Sequence, residues 1–176
     1  MIALKEIDTP VGRMRMGATG EGICLFDFQY RRSIDAIMNR IQKHSGDRCA
    51  EGDHPLFDLL EQQIGAYFAG SLQVFDLPLH LLGTPFQKTV WLGLMQIPYG
   101  TTRSYKQQSM FLGNEKAIRA VAGANGENGI AIIVPCHRVI GENGSLIGYG
   151  GGLQRKQWLL EHERKHSGLS GQGSLF

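Results

Sequence analysis

Two styles of hydrophobic patterning meet near Gly83-Thr84-Pro85. Before that point, Met1–Ile7, Gly12–Gly17 and Gly22–Phe28 are short, partly alternating apolar segments, separated by Pro10, Gly12 and the turn Thr19-Gly20-Glu21-Gly22. Period-two alternation punctuated by Gly and Pro predicts an antiparallel meander. Ile34, Ile37, Met38 and Ile41 then fall at helical spacing behind Ser33 or Asp35 as cap. Leu56, Leu59, Leu60, Ile64, Tyr67 and Phe68 share one face after Pro55. Two amphipathic helices are therefore predicted. Gly70 stops the second, and Gln73–Leu81 alternates like a returning strand.

The second style is mostly helical. Thr84 can cap a helix with Pro85 in its first turn and Phe86, Val90, Leu94 and Ile97 as a core stripe, ended by Pro98-Tyr99-Gly100. Ser104–Phe111 and Glu115–Ala124, joined at Gly113-Asn114, predict a helix-turn-helix, with Asn114 as cap and Glu115 at the positive helix end. The β-branched run Ile130–Val134 predicts a buried strand that stops at Pro135. Asn143-Gly144 between Arg138–Gly141 and Ser145–Tyr149 is a hairpin signal, and a hairpin here would form a wing. Leu153–His166 predicts a closing helix with Leu153, Trp158 and Leu159 inward. The fold class is α+β. Residues 1–83 form an N-terminal α/β support domain with a small antiparallel sheet, 84–166 a mostly helical winged helix-turn-helix-like domain, and 167–176 a flexible Gly/Ser-rich tail.

Charge sharpens the division. The net charge of +2 splits into −3 over residues 1–83 and +5 over 84–176, the asymmetry of a half that meets a polyanion. No stretch approaches the ~20 apolar residues of a membrane span, and the first residues lack a signal-peptide pattern. Three cysteines, Cys24, Cys49 and Cys136, cannot all pair with one another, and so sparse a set fits a reducing cytoplasm.

One cysteine stands in a reactive setting. Cys136 follows Pro135 at the end of the apolar run and precedes His137 and Arg138. An ordinary thiol has a pKa of about 8.5, and positive neighbours lower it. On an extended backbone His137 points away from Cys136, so contact through a water is the easier geometry. The last helix offers His162 and Glu163, an acid to orient a histidine that polarises a thiol. Gly150-Gly151-Gly152 lets backbone approach a ligand closely. Paired metal-ligand spacing and Gly-rich phosphate motifs are both absent, so neither metal nor cofactor is expected.

The string Pro135-Cys136-His137-Arg138-Val139, with Gly148-Tyr149-Gly150-Gly151-Gly152-Leu153 after it and a helix-turn-helix before it, resembles the O6-alkylguanine-DNA alkyltransferases. The likeness runs from about Thr84 to Glu163. It includes Ile97-Pro98-Tyr99-Gly100, Ser104-Tyr105, Gly113 through Val121, Asn128, and Lys156-Gln157-Trp158-Leu159-Leu160. The first 83 residues resemble that family's variable N-terminal domain more weakly. The resemblance implies stoichiometric, irreversible transfer of an alkyl group from O6-alkylguanine, and from O4-alkylthymine, in double-stranded DNA to Cys136. It implies that Glu163, His137 and a water draw off the thiol proton and that Asn128 braces the hinge before the Cys segment. Tyr105 would protonate the leaving guanine and help rotate the 3′ phosphate. Arg119 would fill the space of the flipped base, with Ala120 and Arg138 also at the DNA and Val139, Tyr149 and Gly150 lining the pocket. Many relatives carry Ser where this chain has Gly150, which leaves only a backbone contact there.

Rival readings are a non-catalytic alkyl-lesion-binding protein, a winged-helix transcription factor and a cysteine hydrolase. The first typically has Trp in place of the acceptor Cys. The second wants base-reading side chains where Ala117, Ile118, Ala120, Val121 and Ala122 stand, and the third lacks an oxyanion signature. The chain is expected to be a monomer. The tail ends Gln172-Gly173-Ser174-Leu175-Phe176, which resembles peptides that replication proteins insert into the sliding clamp, so Gln172, Leu175 and Phe176 are candidate clamp contacts.

Overall fold

The computed structural model describes residues 1–168, arranged as two compact units, Met1–Thr84 and the segment from Pro85 onward. In the first, β1 (Ile2–Thr9), β2 (Gly12–Thr19) and β3 (Gly22–Phe28) form the meander that the alternation predicts. After α1 (Ile34–Ser45), a short β4 (Cys49–Glu51) pairs parallel with β1, so the sheet is mixed, in the order β3-β2-β1-β4. Three residues without alternation left β4 unreadable from pattern. Ile2, Leu4, Cys24, Leu25, Ile37, Ile41 and Leu82 pack as the core between sheet and helix. Burial, with the neighbouring Cys49, pushes the Cys24 thiol up to about 12, an inert setting. The second helix, α2 (Pro55–Phe68), has Pro55 in its first turn, and the His54 ring caps the Leu56 amide.

Gln73–Leu81 is not a strand. It touches the sheet through one bridge, Ile23 with Leu79, made by Ile23 N donating to Pro78 O and His80 N donating to Ile23 O. The approach is close because Gly22, at φ +154°, has no side chain: a Cβ there would lie 2.6 Å from the Pro78 carbonyl oxygen.

In the second unit, α3 (Pro85–Leu94) buries Val90, Trp91 and Leu94, and the Trp91 indole donates to the Ala124 carbonyl at 2.9 Å. A two-residue strand, β5 (Arg103–Ser104), leads into α4 (Tyr105–Phe111), whose start is locked by a capping box between Ser104 and Gln107. A turn and one 3₁₀ turn (Glu115–Ala117) precede α5 (Ile118–Gly126). Asn114 occupies the cap position without a side-chain bond. β6 (Val139–Ile140) pairs parallel with β5, not with a hairpin partner. The Asn143-Gly144 turn does form, with Gly141 N on the Ser145 carbonyl, but no strand follows, so the wing is only half made.

The apolar run before the Cys is the main departure from expectation. Ile130–Val134 is buried, as its composition demands, yet it is a tight turn rather than a strand. Val134 N donates to Ile130 O at 3.0 Å, and Ile132 sits at φ +71°, a left-handed conformation that costs a β-branched residue roughly 1–2 kcal/mol. Asn128 holds the turn. Its Nδ2 donates to Val134 O (2.8 Å) and more loosely to Ile130 O (3.4 Å), while its Oδ1 accepts from Ile130 N (3.0 Å). The unit closes with α6 (Leu153–His166), which buries Lys156, Leu159, Leu160, His162 and Glu163. Leu153 and Trp158, expected inward, are 49% and 37% exposed, because the buried stripe starts from Lys156. No helix among the described residues is long and apolar enough to cross a membrane. The tail residues Gln172, Leu175 and Phe176 lie outside the described residues.

Candidate active site

Pro135 ends the turn, and Cys136–Arg138 coils into a single 3₁₀ turn instead of continuing extended. That curl sets three neighbouring side chains to different tasks. Cys136 stays 5% exposed, and its carbonyl accepts from the Asn125 amide at 3.4 Å. His137 is wholly buried and directs Nε2 to Glu163 Oε1 at 2.6 Å. Arg138 forks the same carboxylate, Nε to Oε2 at 2.8 Å and Nη2 to Oε1 at 3.0 Å, and its Nη1 donates to the Ile97 carbonyl at 2.7 Å. All three guanidinium nitrogens of Arg138 are thus engaged inside the protein. The expectation that Arg138 contacts DNA is corrected on that ground: the group is buried and serves as Glu163's counter-charge.

The electrostatics follow from this packing. Burial by itself favours a protonated Glu163, but the His137 and Arg138 partners overcome it and hold the carboxyl far below the ordinary carboxylate range. Burial likewise disfavours an imidazolium at His137, and despite the Glu163 carboxylate its pKa stays lowered. A neutral His137 facing a carboxylate through Nε2 must carry its proton there. Nδ1 is then a buried acceptor with no hydrogen-bond partner among the described residues. His137 thus joins Glu163 at Nε2 and keeps Nδ1 open, the arrangement that suits a base oriented by an acid.

Tyr105 opens α4, with its hydroxyl donating toward the carbonyls of Ile147 (3.3 Å) and Gly148 (3.4 Å). Burial, reinforced by charge on Cys136, raises its pKa, so it remains a neutral O–H donor. Those two carbonyls belong to the glycine-rich segment that also holds Tyr149, half-buried, and Gly150, exposed; Val139 lies fully buried on β6. Asn128 bonds to the backbone of Ile130 and Val134. Its bonds brace the turn that delivers Cys136.

On the outer side of α5, Arg119, Ala120 and Gly123 are exposed. Outside its own helix, nothing among the described residues lies within 4 Å of a Cβ added at Gly123, so packing among them does not require a glycine there. His162, offered with Glu163 as the acid–histidine pair, instead stacks on Trp158 at 4.9 Å, and the histidine bonded to Glu163 is His137. Lys156 is a further residue of this region, beyond those expected at the site. It is fully buried, and a usable signal existed: Lys156, Leu159, Leu160 and Glu163 stand at i, i+3, i+4 and i+7, the inner stripe of α6. Among the described residues no cluster of three or more His, Cys, Asp or Glu could hold a metal ion.

Comparison with known proteins bears on the same region. The model of the 6-O-methylguanine DNA methyltransferase DNA-binding domain matches residues 85–165. A methylated-DNA–protein-cysteine methyltransferase of Mycolicibacterium paratuberculosis is 45% identical, covering 97% of each chain. One from Salmonella typhimurium is 47% identical over 77% of this chain and 78% of its own. Among solved structures, Mycobacterium tuberculosis OGT in complex with DNA superposes with a TM-score of 0.79 at 41% identity, over 93% of this chain and 94% of that one. Likeness of this extent, with the Cys136–His137–Glu163 arrangement inside it, places the chain in the methylated-DNA–protein-cysteine methyltransferase family.

Proposed function

We propose that the protein repairs alkylated DNA by direct reversal, moving the alkyl group of O6-alkylguanine irreversibly onto Cys136, once per molecule. The observation that carries this reading is His137, with Nε2 tied to Glu163 and Nδ1 left as a buried acceptor next to the sulfur in sequence. The thiol proton passes to Nδ1, directly or through a water, while Glu163 remains a carboxylate and steadies the imidazolium. The sulfur–carbon bond forms as the carbon–O6 bond breaks. The departing guanine takes a proton from the Tyr105 hydroxyl onto a ring nitrogen, and the proton lost by sulfur restores the balance. Val139, Tyr149 and Gly150 line the guanine pocket.

A base stacked in a duplex cannot reach the sulfur of a buried cysteine, so the lesion must be flipped out at a cost of a few kcal/mol. The α4–α5 pair serves as the helix-turn-helix that holds the DNA. The small residues Ala120 and Gly123 on the open face of α5 suit close approach to a minor groove, and Arg119 enters the stack behind the departed base. O4-alkylthymine enters the same pocket as a second substrate. The protein acts as a cytoplasmic monomer, and the tail residues Gln172, Leu175 and Phe176 tether it to the replication sliding clamp. Titration of purified clamp with the full chain and with a chain lacking Leu175-Phe176 tests that tether; equal, undetectable binding by both ends it.

Intact-mass spectrometry after incubation with O6-methylguanine DNA tests the central reading. One methyl group is expected per protein, mapped to the Cys136 peptide, and none in Cys136→Ala, which still binds DNA. Transfer by Cys136→Ala would end the proposal. A protein that binds the lesion and transfers nothing would instead be the non-catalytic reader of alkylated DNA.

A further inference from the structure

Lys156 is a fully buried ionisable group of this unit that the mechanism above leaves without a task. A lysine is almost never fully buried unless a carboxylate accompanies it, because desolvating an ammonium is costly. Lys156 is 0% exposed, and no acid among the described residues pairs with it. Its Nζ donates instead to two backbone carbonyls, Val139 at 2.6 Å and Ile147 at 2.9 Å, and lies 5.9 Å from the Tyr105 ring centroid. These contacts are not scattered. Val139 follows the Cys136–Arg138 turn directly, and Ile147 opens the glycine-rich segment whose carbonyls receive Tyr105.

We propose that Lys156 is the positioning residue that pins the Cys136 segment to the substrate loop and supplies the buried positive charge opposite the reacting sulfur. This rests on Cys136 being the alkyl acceptor. The charge balance of the site singles out the lysine. Glu163 and Arg138 neutralise one another and His137 is held neutral, so Lys156 is the cation left over. The groups that face it are Cys136, His137 and Tyr105. Burial brings its pKa down to about 8, and the charge it then responds to is that of Cys136, which raises it. Interaction between two titrating groups is mutual, so a protonated Lys156 favours the Cys136 thiolate to the same degree. The same charge opposes protonation of His137, keeping Nδ1 available. A purely structural clamp on two carbonyls needs donors but no charge, and that difference makes the proposal testable.

The experiment compares the wild-type chain with Lys156→Gln, which keeps an N–H donor, and Lys156→Met, which keeps only the stem. Two quantities are read on each: the pH profile of Cys136 modification by iodoacetamide, followed by intact mass, and the rate of methyl uptake from O6-methylguanine DNA. Both variants are expected to shift the thiol profile to higher pH by about one unit or more, and so to slow methyl uptake near neutral pH about tenfold or more. Lys156→Arg, which retains the charge, recovers part of the thiol profile. Folding of each variant is read by thermal melting, and Lys156→Gln carries the test if Lys156→Met does not fold. A folded Lys156→Gln with the wild-type thiol profile and uptake rate overturns the proposal. Failure of the wild-type chain to take up methyl at all overturns the acceptor role of Cys136 instead.

Discussion

Replacing Glu163 by Gln changes one atom's chemistry and separates the structural from the chemical role of the site. The carboxylate accepts from His137 Nε2 at 2.6 Å and from the Arg138 fork at 2.8 and 3.0 Å, and it is 0% exposed. An amide of the same shape can accept at one position only, and it presents N–H groups to N–H groups at the other. It also leaves the Arg138 guanidinium, 7% exposed at the side chain, without its counter-ion. Removing one partner of a buried pair costs about 3–5 kcal/mol. For a unit of this size that lowers the melting temperature by more than about 10 °C. Glu163→Gln also removes the negative charge that steadies the imidazolium formed when Nδ1 takes the thiol proton. Loss of general-base assistance costs roughly 10²–10⁴-fold in rate. A second variant, Glu163→Gln with Arg138→Met, removes the stranded cation. Differential scanning calorimetry should show most of the stability restored, while methyl uptake followed by intact mass stays as slow as in the single variant. Two results refute the reasoning: a single variant that melts like the wild type, or a double variant that regains the rate along with the stability.

Arg119→Ala should slow methyl uptake from duplex DNA more than uptake from free O6-methylguanine base, since only the duplex requires extrusion; equal losses on both substrates contradict a role in the base stack. Gly123→Ala should leave the fold intact or stabilise it by up to about 1 kcal/mol, whereas Gly123→Leu should weaken DNA binding in a fluorescence-anisotropy titration without lowering the melting temperature. The two units should also respond oppositely to acid. The Glu163 pKa is depressed in the folded state, so its contribution is present above about 4.5 and is lost as pH falls below that value. Burial raises the Asp27 carboxyl to about 6 despite Arg31, so its contribution is complete near pH 4 and is lost as pH rises through 6. Hydrogen-exchange protection factors for β3 should therefore rise between pH 7 and pH 5, and those for α6 should fall below pH 4.5.

What could be read from sequence was what local pattern controls. The meander, α1, α2, the start of α3 at Pro85 and the span of α4 all follow from periodicity and cap chemistry within a few residues. Ile130–Val134 was legible as buried but not as a turn, because an apolar run reports burial and not backbone conformation. What decides its shape is the Asn128 side chain, which supplies the hydrogen bonds that a neighbouring strand would otherwise provide. Residues Ser145–Tyr149 failed as a second hairpin strand for a related reason. The Ile147 and Gly148 carbonyls are taken by Lys156 and Tyr105, so no ladder forms. Within the site, Cys136 and Glu163 stood out by type and setting. The partnership of Arg138 with Glu163 spans 25 positions and is invisible to any local pattern, which is why an inward-facing arginine was read as a DNA contact.

The backbone of Ile132 has an evolutionary consequence. At φ +71° a glycine would relax the chain, but it would vacate a position that is 1% exposed, and a buried side chain of that size contributes roughly 1.5–3 kcal/mol. Any other large apolar residue would fill the space and keep the strain. A glycine therefore trades buried packing for a relaxed backbone, another large apolar residue leaves both as they are, and drift at residue 132 has no downhill direction. A saturation survey of the chain should find few tolerated replacements at this position, although its side chain takes no part in the chemistry.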